Sequence, residues 1–191
     1  MTELGITPSQ TAGPYLRIGL FRTLVTPDVV DPGHPRAIRI EGRLLDGAGD
    51  AVPDGMVETW QADVSGRYRH PAGDGAGART TDDDGFLGFG RSGTGADGGF
   101  VLTTIKPGPV PWPEGGMQAP HIEVVVFARG LLKHVVTRLY FPDEVEANAA
   151  DPVLSRLSAA QRETLVAVSE DRGVRFDIRL QGPAQTTFFA V

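Results

Sequence analysis

The stretch "AIRIEGRLLD", residues 37–46, decides the fold because apolar and charged side chains alternate along it. Ile38, Ile40 and Gly42 alternate with the charged residues Arg39, Glu41 and Arg43. A two-residue period is that of a β-strand with one face toward a core. Further strand-like runs occupy residues 56–63, 100–108, 121–130, 133–144 and 173–182, with a last candidate at 186–191. Turn signals rich in glycine cluster at 70–85 and 90–99. This spacing predicts an all-β fold, either an antiparallel β-sandwich or a barrel.

The N-terminal part of the chain departs from the strand pattern. Residues 1–35 include "TPSQTAGPYLRIGLF" and "TPDVVDPGHPR", which are too rich in turn formers and proline for a helix or strand interior. We therefore predict an N-terminal arm over residues 1–35 and a β-sandwich domain over residues 36–191. Such an arm buries little surface by itself and is expected to pack on its own domain or on a partner subunit.

One segment has a helical character. "DPVLSRLSAAQRETLVAV", residues 151–168, begins with Asp151 as a candidate N-cap and Pro152 at the first helical position. An apolar stripe is expected from Val153, Leu154, Leu157, Leu165 and Val168. The proline and serine residues predict that this helix is short or broken, and we interpret it as a connection over the sandwich.

Composition excludes several classes of protein. The 191 residues carry a formal net charge of −6, which argues against a nucleic-acid-binding surface. The absence of cysteine excludes disulfides and thiolate chemistry. No apolar run approaches the roughly 18 to 20 residues of a membrane span. The N-terminus has neither a basic patch nor an apolar core of a signal peptide, so a cytoplasmic location is expected.

The stretch "QAPHIEVVVFARG", residues 118–130, carries the first indication of chemistry. His121 and Glu123 stand two apart at the head of a predicted strand, so both side chains face the same side. His121 and Glu123 are therefore either half of a metal site or the remains of one. A ferric ion prefers anionic oxygen ligands, such as tyrosinate, together with imidazoles. Tyr68 lies on a polar turn and Val110 in the "GPVPW" loop.

Three stretches together resemble the intradiol ring-cleavage dioxygenases: "ETWQADVSGRYRHP" (58–71), "TTIKPGPVPWPEGGMQAPHIEV" (103–124) and "TRLYFPDE" (137–144). The resemblance extends from about residue 7 to the C-terminus and implies a β-sandwich. Within the family, "TPSQTAGPY" and "FARG…TRLYFPDE" resemble the alpha-type chains of the two-subunit enzymes that cleave protocatechuate. This resemblance implies a beta-type partner subunit that binds Fe(III). It also implies that the alpha–beta pair assembles further into a larger hetero-oligomer.

The resemblance assigns the metal-ligand positions one by one. Tyr68 matches the first tyrosine ligand of the iron-bearing chain, and His121 matches the first histidine. Val110 stands where the second tyrosine lies, and Glu123 stands where the second histidine lies. Loss of a phenolate and an imidazole removes most of the affinity for Fe(III). The resemblance therefore implies that this chain binds no metal and has no catalytic residue of its own.

Two further positions of the same pocket are changed. The resemblance implies that Gln118 replaces an arginine near the reacting diol and that Arg138 replaces an active-site glutamine. A buried carboxylate needs a cation, so we predict that Arg138 pairs with Glu123, and that His121 bonds to Tyr68 or Glu123. We call six positions the relic pocket: Tyr68, Val110, Gln118, His121, Glu123 and Arg138.

The resemblance also implies how the chain acts on substrate. Residues of the arm and of the "FARG" turn would wall the pocket of the beta-bound iron: Thr11, Gly13, Pro14, Tyr15 and Arg129. Arg129 is the first candidate for the substrate carboxylate and Arg138 the second; alternatively, Arg129 is a solvated turn residue. The implied reaction converts protocatechuate and O₂ into 3-carboxy-cis,cis-muconate in the beta-ketoadipate pathway of aromatic catabolism. Two alternatives stay open: an assembly scaffold without substrate contact, and a metalloenzyme built on Tyr68, His121 and Glu123.

Overall fold

A computed structural model describes residues 27–68 and 85–190, together with the isolated positions Gly13 and Gly19. The predicted pocket residues Thr11, Pro14 and Tyr15 lie outside the described residues, and Gly13 is exposed. The predicted boundary between arm and domain stays a prediction. Residues 27–30 lie against the domain, because Val29 and Val30 are buried and form a small core with Phe86 and Ile105.

Eleven strands are present in the described part of the chain. In chain order they are β1 Ala37–Leu45, β2 Met56–Trp60, β3 Phe89–Gly93, β4 Gly99–Ile105, β5 Val110–Pro111, β6 Met117–Gln118, β7 His121–Phe127, β8 Val135–Tyr140, β9 Val168–Glu170, β10 Gly173–Arg175 and β11 Ile178–Arg179. One sheet has the order β11-β1-β10-β9, with β4 paired to β1. The other has the order β3-β2-β7-β8, and β5 and β6 form a separate ribbon.

The hydrophobic core lies between the two sheets. Its fully or nearly buried members come from both: Ile40, Leu44, Val57, Phe100, Leu102, Ile122, Val124, Val126, Leu139, Phe141, Val174, Phe176 and Ile178. Along β1 the even-numbered positions from Ile40 to Leu44 are buried and the odd-numbered positions are not. The predicted all-β sandwich is confirmed. The pairing is not wholly antiparallel, because β1 pairs in parallel with β10 and β11.

The sequence reading missed one strand of the second sheet. Residues 90–99 read as a turn, but Phe89–Gly93 pairs with the whole of β2, and only residues 94–98 turn back toward β4. Close packing leaves no room for a side chain at Gly90, because a Cβ there would lie 2.8 Å from Thr59 Oγ1 and 2.8 Å from Val29 Cγ2. In this strand the glycine marks a close approach and not a turn.

The helical connection is broken, as predicted. Helix α1 (Val145–Ala150) precedes it, a 3-10 turn covers Leu154–Arg156, and helix α2 covers Ala159–Glu163. Ser158 begins α2 with a capping box, and its extended backbone prevents a continuous helix. The Asp151 carboxylate accepts hydrogen bonds from the backbone N–H groups of Val153 and Leu154, both at 2.8 Å, so it caps the 3-10 turn.

The ends of the predicted elements differ from the structure in three places. Val168 belongs to β9 and is 52% exposed, so its assignment to the apolar stripe is wrong. The run 173–182 divides into β10 and β11. Of the last predicted strand, the described residues 186–190 contribute one bridge, between Phe189 and Val136, and Val191 lies outside the described residues. Among the described residues no helix is long and apolar enough to cross a membrane. The cytoplasmic location stays a prediction.

Candidate functional site

The register of the second sheet brings the relic pocket together. Glu123 on β7 stands opposite Arg138 on β8 and opposite Trp60 on β2, and His121 stands opposite Tyr140. Directly opposed residues on one face have Cβ atoms about 5 Å apart, so these side chains meet at one end of the sheet.

The predicted pair of Glu123 and Arg138 is present. Arg138 Nη2 lies 2.7 Å from Glu123 Oε1, and Nη1 donates to Gln118 Oε1 at 2.8 Å. Burial works to lower the pKa of Arg138, but the Glu123 charge and the bond to Tyr140 raise it overall. The ribbon of β5 and β6 carries Gln118 and places Val110 beside it. The guanidinium thus holds two of the changed positions together.

Two residues of this site were missed by the sequence reading. Arg138 Nη1 lies 3.3 Å from the Tyr140 hydroxyl, which in turn donates to Asp151 Oδ1 at 3.3 Å. Asp151 is fully buried, and its Oδ2 also accepts from the Ala119 N–H at 2.8 Å. Burial raises the pKa of Tyr140 well above its ordinary value, so this tyrosine is a neutral donor. The sequence would have indicated that Tyr140 belongs to this site only if the pairing register of β7 and β8 were known, because that register places Tyr140 opposite His121.

His121 is buried with a defined tautomer. Its Nδ1 lies 2.7 Å from the Ala119 carbonyl oxygen, so Nδ1 carries the proton and Nε2 carries the lone pair. Nε2 has no hydrogen-bond partner among the described residues, and Glu123 Oε1 is 3.7 Å away. The predicted bond of His121 to Tyr68 or Glu123 is therefore replaced by one to the backbone. Two acceptor atoms cannot hydrogen-bond to each other, which explains the long distance.

Tyr68 is half-buried and lies beside Trp60. Its ring stacks on Trp60 with the ring centroids 6.2 Å apart and the planes 9° from parallel. Burial and the Glu123 charge raise the pKa of the Tyr68 hydroxyl, although Arg138 acts in the opposite direction. The side chain is accordingly a neutral phenol and not a tyrosinate.

The residues of the relic pocket do not fit Fe(III). Val110 offers no donor atom, and the guanidinium of Arg138 already neutralises the Glu123 carboxylate. Without a metal ion, burial and the Glu123 charge favour the neutral phenol form of Tyr68. Within residues 27–68 and 85–190 no group of three or more His, Asp or Glu side chains is arranged to hold a metal ion.

Arg129 is far from the relic pocket. It follows the far end of β7, eight residues beyond His121 at the head of the strand, which corresponds to roughly 25 Å along an extended chain. Its side chain is 69% exposed, and Nη2 lies 3.8 Å from Asp54 Oδ2. The two arginines singled out in the sequence therefore face different surroundings: Arg138 is held inside the pocket and Arg129 is presented at a turn.

The buried His121 predicts a specific pH dependence of stability. Burial and the nearby Arg138 lower the pKa of His121 below its ordinary value of 6.5. The unfolded chain takes up a proton below about pH 6.5 while the folded chain stays neutral, so stability falls on acidification. Between pH 7.5 and 5.5 we expect the free energy of unfolding to fall by about 1 kcal/mol more in the wild type than in His121→Asn.

Urea unfolding at a series of pH values measures this difference. The control is His134→Asn, which removes an exposed histidine and so separates the loss of a buried imidazole from the loss of any imidazole. Equal slopes in the wild type and His121→Asn would contradict the neutral, buried state of His121.

Comparison with solved structures defines the class of protein. The dioxygenase domain of a dioxygenase–carbohydrate-binding protein fusion from Streptomyces sp. SirexAA-E superposes with a TM-score of 0.58 at 29% identity. The match covers 92% of this chain and 98% of that one. The two-sheet sandwich described above, with His121 and Tyr68 at one end of a sheet, is thus the fold of a dioxygenase.

Sequence comparison defines the family within that class. The model of the Dioxygenase family matches residues 21–182. The protocatechuate 3,4-dioxygenase alpha chain of Burkholderia cepacia is 43% identical over 207 aligned residues, which cover 100% of both chains. The beta chain of that organism is 35% identical, over 83% of this chain and 71% of its own. The chain belongs to the intradiol ring-cleavage dioxygenases, a family of iron-dependent oxidoreductases.

Proposed function

We propose that this chain is the non-iron alpha subunit of a protocatechuate 3,4-dioxygenase. A beta-type partner holds the Fe(III), and this chain completes the wall of the substrate pocket. The reaction cleaves the ring of protocatechuate between its two hydroxylated carbons with O₂ and gives 3-carboxy-cis,cis-muconate. Both oxygen atoms enter the product, so no external reductant is needed. The full-length similarity to an alpha chain supports this assignment over a beta-type role.

The observation that carries the proposal is the filled relic pocket. Arg138, a cation, is bonded to Glu123 and Gln118 where a family member with iron needs ligands and open coordination positions. Val110 leaves the other side of the pocket without a donor. A chain of this family that cannot hold iron acts on a catechol only together with a chain that can.

The contribution to the substrate pocket rests on the arm and the turn after β7. Thr11, Gly13, Pro14 and Tyr15 are proposed to wall the partner's pocket, and Arg129 to bind the carboxylate of protocatechuate. The exposed guanidinium of Arg129 supports this role, because a fork of N–H donors matches a carboxylate in shape and charge.

Co-expression tests the proposal. We expect the chain purified alone to contain no stoichiometric iron and to consume no O₂ with protocatechuate. Co-expressed with a beta-type partner, it should form a complex with one iron for each alpha–beta pair and full activity. Stoichiometric iron in the isolated chain, with the visible absorption of tyrosinate-to-iron charge transfer, would overturn the proposal.

A deletion of residues 1–15 separates the proposed role from that of an assembly scaffold. If the chain walls the pocket, the truncated complex should assemble and bind iron but lose most of its kcat/KM for protocatechuate. If the truncated complex turns over normally, the arm does not contact substrate, and the scaffold role is favoured for residues 1–15.

A further inference from the structure

Asp54 and Arg129 lie in two turns, one before β2 and one after β7. Met56, the first residue of β2, is paired with Phe127, the last residue of β7. Asp54 stands two residues before Met56 and Arg129 two residues after Phe127, each in a turn beyond the last paired residue of its strand. Their side chains meet, with Arg129 Nη2 3.8 Å from Asp54 Oδ2. The contact therefore joins the turn before β2 to the turn after β7.

The backbone of Asp54 is unusual. Its φ is +61°, and no other non-glycine residue in the described part of the chain has a positive φ. The left-handed region costs most L-residues about 1 kcal/mol, although aspartate and asparagine tolerate it better than others. Pro53 precedes it and fixes the first position of the turn. Glycine would suit this backbone better, and the turn instead presents a carboxylate to the guanidinium.

We propose that Asp54 is a specificity-determining residue that occupies the Arg129 guanidinium until the carboxylate of an anionic substrate displaces it. This inference rests on the proposed role of Arg129. The incoming carboxylate competes with Asp54 for the same donors and is repelled by its charge. A neutral catechol has no carboxylate and does not compete with Asp54 for the Arg129 guanidinium. Asp54 therefore weakens the binding of carboxylated substrates and leaves that of uncharged ones unaltered.

The geometry makes this competition easy to reverse. The Asp54 side chain is 48% exposed and that of Arg129 69%, and the separation of 3.8 Å is longer than a tight hydrogen bond. Exposed ion pairs are weak because water screens them. The displacement should therefore change affinity by a small factor, about threefold, which is the size of a typical exposed pair.

The test measures ligand binding to the assembled alpha–beta complex in the absence of O₂. We expect Asp54→Asn to lower the Kd for protocatechuate about threefold, and the Kd for catechol to stay unchanged. Asparagine keeps the shape and tolerates the left-handed backbone, so the fold is preserved. The matched control is Glu114→Gln, which removes one carboxylate from the exposed ion pair with Arg156 and should change neither Kd.

The double variant Arg129→Ala/Asp54→Asn distinguishes the inference from the proposed function. In the Arg129→Ala background, Asp54→Asn should lower the Kd for protocatechuate by clearly less than threefold, because only the charge repulsion and not the competition for Arg129 is then removed. If Arg129→Ala weakens protocatechuate binding while Asp54→Asn leaves it unchanged or weakens it, the competitor role of Asp54 is wrong and the proposed role of Arg129 stands. If Arg129→Ala leaves protocatechuate binding unchanged, the proposed role of Arg129 fails, and the inference fails with it.

Discussion

Replacement of Arg138 by methionine is expected to lower the free energy of unfolding by about 2 to 3 kcal/mol. Methionine keeps much of the volume but removes the cation that pairs with Glu123 at 2.7 Å. The carboxylate would then face the lone pair of His121 Nε2 without compensation. Breaking a fully buried pair costs about 3 to 5 kcal/mol, and the value here is smaller because the two side chains are 17% and 24% exposed. Urea unfolding with a common m-value measures the loss.

Two control variants identify the cause of this loss. Glu123→Gln combined with Arg138→Met should cost less than Arg138→Met alone, because no unpaired charge remains in the pocket. Arg156→Met removes an arginine from the exposed pair with Glu114 and should stay within about 0.5 kcal/mol of the wild type. A wild-type stability in Arg138→Met would mean that water, and not Arg138, solvates Glu123.

Much of the fold followed from the two-residue period. Where one face of a strand enters the core, as along β1, apolar and polar residues alternate and the strand is visible in the sequence. Strand β3 was missed because Gly90 and Gly93 are typical of turns, and only tertiary packing shows that Gly90 is there for lack of space. Parallel pairing of β1 with β10 and β11 is a property of the chain path, which local periodicity does not encode.

The ion pair of the relic pocket was predictable from the chemistry of its side chains. A carboxylate that replaces an imidazole inside a protein needs a cation, and Arg138 was the residue at hand. Partners among backbone atoms were not predictable in this way. The Ala119 carbonyl accepts a hydrogen bond from His121, and the Ala119 N–H donates one to Asp151. Any residue except proline offers the same backbone groups, so the sequence does not indicate these contacts.

The substitutions of the relic pocket form one coupled set. Glu123 needs Arg138, and Arg138 fills its remaining donor positions with Gln118 and Tyr140. Replacement of Glu123 by a neutral side chain would leave the Arg138 guanidinium without its carboxylate partner, so these positions depend on one another.

Replacement of Arg129 by alanine is expected to lower kcat/KM for protocatechuate by roughly 10- to 100-fold. Loss of a charge-assisted hydrogen bond to a substrate carboxylate costs about 1.5 to 3 kcal/mol. The contact exists in the ground state as well as in the transition state, so the effect should fall mainly on KM and less on kcat. Because Arg129 is 69% exposed in the isolated chain, its removal should leave the stability of the chain unchanged. Steady-state O₂ consumption by the assembled complex measures both constants.

A substrate without a carboxylate separates binding of the anion from a general loss of activity. With catechol the wild type and Arg129→Ala should have equal kcat/KM, because catechol has no carboxylate for Arg129 to bind. Arg156→Ala, which removes an arginine of similar exposure on another part of the surface, should match the wild type with both substrates. An unchanged kcat/KM for protocatechuate in Arg129→Ala would remove this residue from the pocket. An equal loss with catechol would instead indicate that Arg129 positions the two subunits and does not bind the carboxylate.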